Sequence, residues 1–305
     1  MAPPPSRARA RFDRALARVA ADRRSGASGL AAAALDAVEE LVSASARSPP
    51  AEFRRIAAHV ARRLRATQPA LGALVRSADA WTRLATRPRP RADAVRWLAL
   101  ERRRREGAAR ALRRVVRERL PPRLRVLTLS RSATVVAALA APPARRRPRS
   151  VVVLESRPGG EGRAMVRDLR RRGVRARWVP DRELATAVRS ADLVLIGADA
   201  VYRTGDLVHK VGTRTLVDAA RRAGVPTVVV SAYAKFVDRR RPVARRPTGF
   251  DRTPGRWIEE FWTDRGVRRP GRRANALRTL ALPSGEVPHG GSRTDPRAPR
   301  GRLRR

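Results

Sequence analysis

The sequence predicts an α/β protein: an all-helical N-terminal domain over residues 1–120, a parallel-sheet domain over 121–268, and a basic tail over 269–305 expected to be disordered. Three observations predict it. Apolar residues recur at helical spacing through the first 120 positions. Pro121-Pro122 ends that pattern. Beyond it, short β-branched runs alternate with helical stretches.

Phe12, Leu16 and Val19, spaced i, i+4, i+7, place the first helix. Leu35, Val38 and Val42 place another, as do Phe53, Ile56, Val60 and Leu64. Breakers separate these stretches at 24–29, at Ser48-Pro49-Pro50 and at Arg87-Pro88-Arg89-Pro90. A last, basic helix is expected over about 93–120. Strands are then expected at 125–129, 151–155, 175–179, 193–196 and 227–231, with helices at 133–140, 162–172, 183–190 and 210–223. Strands that are apolar along their whole length are buried on both faces, which argues for a parallel sheet covered by helices. Ligands of such sheets sit past the carboxyl ends of the strands. Residues 265–305 hold 12 Arg and two acids with no sustained period; the stretch up to about Leu282 can still pack, the rest reads as a solvated tail, and the Arg-rich run 239–246 reads as a solvated loop.

Composition removes several function classes. The chain has no Cys, which excludes disulfides, thiolate metal sites and cysteine nucleophiles. No His, Asp and Glu set has metal-ligand spacing, and neither GxGxxG nor GxSxG occurs, so no cofactor is expected. His59 and His289 have no partner cluster nearby in sequence and are expected at the surface. No apolar run approaches the roughly 18 residues of a membrane helix. The start of the chain is broken by charges, Asp13 and Asp22 among them, unlike a signal peptide, and a cytoplasmic protein is expected.

The net charge of +43 suggests attraction to nucleic acid. Yet the only lysines among 70 basic residues are Lys210 and Lys235. A surface selected for phosphate has no reason to exclude Lys, so much of the basicity reads as drift from Lys to Arg. Nonspecific, salt-sensitive binding of nucleic acid remains expected.

Three loops after expected strands carry polar detail. Ser130-Arg131-Ser132-Ala133-Thr134 leads into a helix, whose first N–H groups can cradle a phosphate; plain serine capping is the competing reading. The Gly-rich run 155–163 places Glu155 and Arg157 at a strand end, against the alternative of a structural ion pair between Glu155 and Arg163. In the third, Asp199 follows an apolar strand and is the acid/base candidate, while Lys210 is expected to open the next helix and present its cation beside that helix's N-terminus. Lys235 follows the last expected strand. Both lysines thus stand at strand ends, where a compact ammonium suits a tight site that a planar guanidinium does not.

Together the segments DRRSGAS (22–28), VLTLSRSATV (126–135), ESRPGGEGR (155–163), GADAV (197–201), HKVGT (209–213), AYAKFVD (232–238) and FDRTPGRWIEEFWTDRGV (250–267) resemble, in order, the motifs of the translation initiation factor 2B alpha/beta/delta family. That family includes methylthioribose-1-phosphate isomerase and ribose-1,5-bisphosphate isomerase. The resemblance implies a Rossmann-like second domain, a homodimer, and a phosphorylated sugar or nucleotide bound between the domains. In the isomerase branches a cysteine and an aspartate move a carbonyl from C1 to C2. Asp199 matches the aspartate, whereas Ser130 stands at the cysteine position, with Leu129 before it. Phosphate contacts are implied for Ser132, Ala133 and Thr134 and for Arg24, Gly26 and Ala27, joined by Arg157, His209, Lys210 and Lys235. Ser130 lacks the acidity of a thiol, and His209 is the candidate base to assist it. The other branch of the family implies a noncatalytic regulatory or assembly role.

Overall fold

A computed structural model describes residues 5–22, 26–238 and 249–270. Arg24, His289, the 239–246 run and the tail from residue 271 lie outside the described residues. Five helices come first: α1 (Pro5–Ala21), α2 (Ala27–Ala44), α3 (Pro50–Thr67), α4 (Gly72–Leu84) and α5 (Pro90–Arg119). Prolines open α3 and α5 in their first turn, where no backbone N–H is needed. The predicted stripes Phe12/Leu16/Val19 and Phe53/Val60/Leu64 meet in one core around the fully buried Trp81 of α4. Burial of each such side chain is worth about 1.5–3 kcal/mol. The sequence reading did not single out α4.

His59 corrects an expectation. It is buried, with Nε2 2.9 Å from Asp13 Oδ1 and Nδ1 3.0 Å from Arg9 Nη2. Its partners lie about 50 positions away on α1 and become neighbours only when α1 packs on α3.

The second half alternates strands and helices: β1 (Arg125–Leu129), α6 (Ala133–Ala140), β2 (Ser150–Leu154), α7 (Glu161–Arg171), β3 (Ala176–Val179), α8 (Leu184–Arg189), β4 (Leu193–Ile196), β5 (Ala200–Tyr202), β6 (Leu207–Lys210), α9 (Thr213–Arg222), β7 (Thr227–Val230), β8 (Phe236–Val237), β9 (Phe250–Thr253), β10 (Glu260–Thr263) and β11 (Gly266–Arg268). The main sheet runs β11-β10-β7-β4-β1-β2-β3, parallel except for the β10–β11 pair. Its side chains alternate between two cores: Leu193, Leu195, Val228 and Val230 pack on one face with α5, α6 and α7, while Val194, Ile196 and Val229 pack on the other with α8 and α9. The architecture is the predicted one, helices followed by a Rossmann-like sheet covered on both sides.

A second sheet, β8-β5-β6-β9, was not anticipated. Its strands are two to four residues long, and β6 pairs with β9 some 40 residues further on, so no local pattern announces it. Lys210 consequently ends β6 and does not open α9. The helix begins at Thr213, after Gly212 at φ 94°, and Asp251 Oδ2 accepts the Gly212 N–H at 2.7 Å.

Candidate functional site

β1 is flanked by β2 on one side and β4 on the other. The chain order reverses there, and the crevice between β1 and β4 is where ligands bind in open sheets of this type. Ser130 and Ser132 follow β1, and Asp199 follows β4. A hollow of about 690 Å³ opens at this point. Its wall contains Ser130, Ser132, Ala133, Thr134, Asp199, His209, Lys210 and Lys235, with Gly26 and Ala27 contributed from the start of α2.

Each side chain is set by its element. Ser130 is buried with φ 57°, a left-handed conformation that costs a non-glycine residue energy and is found at functional turns. Its N–H donates to Ser156 Oγ at 2.6 Å, and that hydroxyl donates to Leu154 O, tying the β1 loop to the end of β2. Ser132 caps α6, accepting from Val135 N–H at 3.3 Å. The capping reading of this loop is met, and Ser132, Ala133 and Thr134 at the start of α6 stand on the hollow wall. Asp199 is half-buried, its N–H donating to Val208 O and its carbonyl accepting Gly72 N–H at 2.8 Å, so that α4 and β6 fix its backbone.

Lys235 is buried, with Nζ donating to Ala198 O at 2.8 Å. Burial pushes its ammonium below the ordinary lysine value, while Asp199 pulls it back up. His209 is also buried, and burial lowers its imidazole, with Asp199 opposing and Lys235 and Lys210 adding to the lowering. Thr213 Oγ1 gives its single proton to Lys210 O at 2.5 Å, so it can only accept from His209 Nδ1 at 3.1 Å. The neutral ring therefore carries its proton on Nδ1 and presents Nε2 as an acceptor. A Cβ placed on Gly197 would lie 2.9 Å from Ser132 Oγ and 3.3 Å from His209 Nε2, which puts both atoms on the same side of the β4 end. No hydrogen bond joins His209 to Ser130 among the described residues, so the arrangement of His209 as base to Ser130 is not found.

Arg157 is not brought to the hollow. Its side chain is 71% exposed and lies 3.4 Å from Glu155, which also binds Arg163 at 3.0 Å. That loop is therefore shaped by the ion-pair reading. Glu161, at the start of α7, stands on the wall instead and holds Lys210 Nζ at 2.5 Å. Asp22 and Asp168 also line it, and Arg131 pairs with Asp168 at 2.7 Å. None of these acids was singled out in sequence; the signal available was the position of Glu161 in the Gly-rich loop after β2.

The family model of the initiation factor 2 subunit family matches residues 23–245. A relative named ribose 1,5-bisphosphate isomerase, from Archaeoglobus fulgidus, is 34% identical over 86 residues, and the match spans 28% of this chain and 28% of that protein. Two solved structures share the fold: the translation initiation factor eIF-2B of Pyrococcus horikoshii OT3, with TM-score 0.73 and 24% identity over 85% of this chain and 97% of that one, and the tetrameric eIF2B-beta2-delta2 complex from C. thermophilum, with TM-score 0.73 and 18% identity over 90% and 94%. A family match over residues 23–245, with the motif order and the helical-plus-parallel-sheet architecture agreeing, places this chain in the initiation factor 2 subunit family.

Proposed function

We propose that the hollow binds a sugar phosphate and that Asp199 is its acid/base group. The carrying observation is the mixture of donors and acceptors on one wall: the N-terminus of α6, Lys210 and Lys235 beside the carboxylates of Asp199 and Glu161. A phosphate needs N–H donors and cations, whereas hydroxyls need acceptors, and a sugar phosphate carries both groups. Ala133 and Thr134 amides and Lys235 take the phosphate, and Lys210 joins them as Glu161 turns to the hydroxyls. Isomerisation of an aldose 1-phosphate breaks the bond from C1 to the ring oxygen, moves one hydrogen from C2 to C1 and carries the proton of the C2 hydroxyl to the released ring oxygen, so it needs two proton carriers. Asp199 is one. Ser130 holds the place of the second and is a poor proton carrier, having no base bonded to it among the described residues.

That last point favours a second reading, in which the pocket senses a phosphorylated ligand and the chain regulates or assembles without turnover. A homodimer belongs to both readings; the tetrameric complex among the similar structures is consistent with oligomer formation in general. Ribose 1,5-bisphosphate, methylthioribose 1-phosphate or a nucleoside monophosphate is expected to raise the melting temperature; no shift with any of them overturns the proposal. Isomerase assays on the wild type and Ser130→Cys then separate the readings. Turnover gained by the variant means an otherwise complete catalytic site, and none in either protein supports the sensing role.

A further inference from the structure

A second cavity, of about 1100 Å³, lies between α4, α5 and the β8 and β11 edges, apart from the hollow just described. Its focus is Tyr233. Phe236 stacks on that ring at 5.0 Å and 12°. Three guanidinium groups gather about the same ring, Arg265 at 4.0 Å, Arg268 at 5.1 Å and Arg76 at 5.8 Å from its centroid; Arg76 and Arg268 line this cavity and Arg265 lines the adjoining one. Three other arginines of the wall are paired, Arg104 with Glu101 at 3.7 Å, Arg203 with Asp238 at 3.5 Å, and Arg269 with Glu260 at 2.7 Å, while Arg83 has no carboxylate partner among the described residues. No carboxylate pairs with Arg76, Arg265 or Arg268 among the described residues; the nearby Asp264 Oδ1 is taken by Tyr233 N–H at 2.5 Å.

Holding three like charges around one ring costs Coulomb energy that the ring's face offsets only in part. An anion between them removes that cost. Compositional drift accounts for these side chains being Arg, but not for three of them converging on one aromatic ring with no carboxylate ion-paired to any of them among the described residues. We propose that Arg76, Arg265 and Arg268 form a site for a small ligand with clustered phosphate groups, seated against Tyr233. Guanidinium forks match phosphate oxygens in pairs, and the cavity has the size of a small-molecule pocket rather than of a groove for a long strand.

The probe is inorganic tripolyphosphate, titrated by calorimetry at fixed ionic strength because a chain of net charge +43 attracts any polyanion. Arg265→Gln/Arg268→Gln is compared with Arg110→Gln/Arg114→Gln, which removes two exposed charges of α5 far from Tyr233 in sequence and so controls for net charge. The Tyr233-side variant is expected to bind at least tenfold more weakly, and the control within twofold of wild type. Equal losses in the two variants, or no saturable binding by wild type, overturn the proposal. Binding of a ten-nucleotide RNA that the Tyr233-side variant abolishes, with tripolyphosphate unaffected, overturns the small-ligand assignment in favour of nucleic acid. The single variant Arg76→Gln, on the opposite wall, repeats the test should the double variant fold poorly. None of these residues lines the sugar-phosphate hollow, although Arg76, Tyr233 and Arg265 share an adjoining cavity of about 800 Å³ with Ala133, Thr134 and Lys235; the thermal shift with ribose 1,5-bisphosphate, read on the same variants, tells the failure of one proposal from that of the other.

Discussion

At the scale of single residues, the two buried bases next to Asp199 govern what the hollow can do. His209 is held below the ordinary imidazole value, so the unfolded chain takes up a proton near pH 6.5 that the native state refuses. Below pH 6.5 the unfolded state then binds more protons, and stability falls as pH drops from 6.5 toward the folded value; above 6.5 this group contributes no slope. His59 is lowered in the same direction, chiefly by burial with Asp13 opposing, so the two histidines add. The melting temperature is expected to fall between pH 7 and pH 5, and His209→Asn should remove part of that slope. An unchanged slope would mean that the folded ring accepts a proton as readily as the unfolded one. Lys235 gives a second prediction. Its buried ammonium fits beside Ala198 O, where a guanidinium, broader and planar, does not. Lys235→Arg is therefore expected to lose the ligand-induced thermal shift, and a retained shift would show that charge alone suffices.

At the scale of elements, the hollow depends on how closely α4 approaches the strand ends. Gly72 opens α4 and donates its N–H to Asp199 O. A Cβ there would lie 2.3 Å from Lys235 O and 3.1 Å from Ala200 Cα, both backbone atoms that cannot swing aside. Gly72→Ala forces α4 away from the two segments that carry Asp199 and Lys235. It is expected to cost about 1–3 kcal/mol, the usual range for overpacking, and to weaken sugar-phosphate binding. Denaturant unfolding and the thermal-shift assay measure the two effects, and wild-type values in both would refute the contact. Element identity was largely legible: 133–140 and 193–196 occur as expected because their apolar runs and flanking breakers are local. The small sheet was not, because its two-to-four-residue strands are stabilised only by pairing across the fold. That sheet nevertheless carries His209 and Lys210 and adjoins Asp199 and Lys235.

At the scale of the whole molecule, one buried carboxylate joins the helical part to the sheet. Glu260 on β10 has no solvent exposure and receives Arg119 of α5 at 2.8 Å, Arg269 at 2.7 Å and Trp262 Nε1 at 2.8 Å. Burial works to raise its pKa, but the bonds from Trp262, Arg269 and Arg119 hold it below the ordinary glutamate value. Its stabilisation is thus present above about pH 4.5 and lost as pH falls through the depressed folded value. Glu260→Gln leaves the partly exposed guanidiniums of Arg119 and Arg269 without their counter-charge, and because solvent can take them up it is expected to destabilise by about 1–3 kcal/mol, read by urea unfolding. A loss under 1 kcal/mol would show the cluster to be incidental.

The sequence by itself determined the fold class, the strand ends at which chemistry is placed and the motif order that carries the family, because all three are written in local periodicity and in residues kept against a drift toward Arg. Tertiary structure alone decided which of those residues meet. It turned Arg157 out to Glu155, brought Glu161 to Lys210, buried His59 against Asp13 and joined His209 to Thr213. The physical reason is the same in each case: the pairing is between groups tens of residues apart or between alternative partners a few residues apart, and only packing fixes the distances on which ion pairs and hydrogen bonds depend.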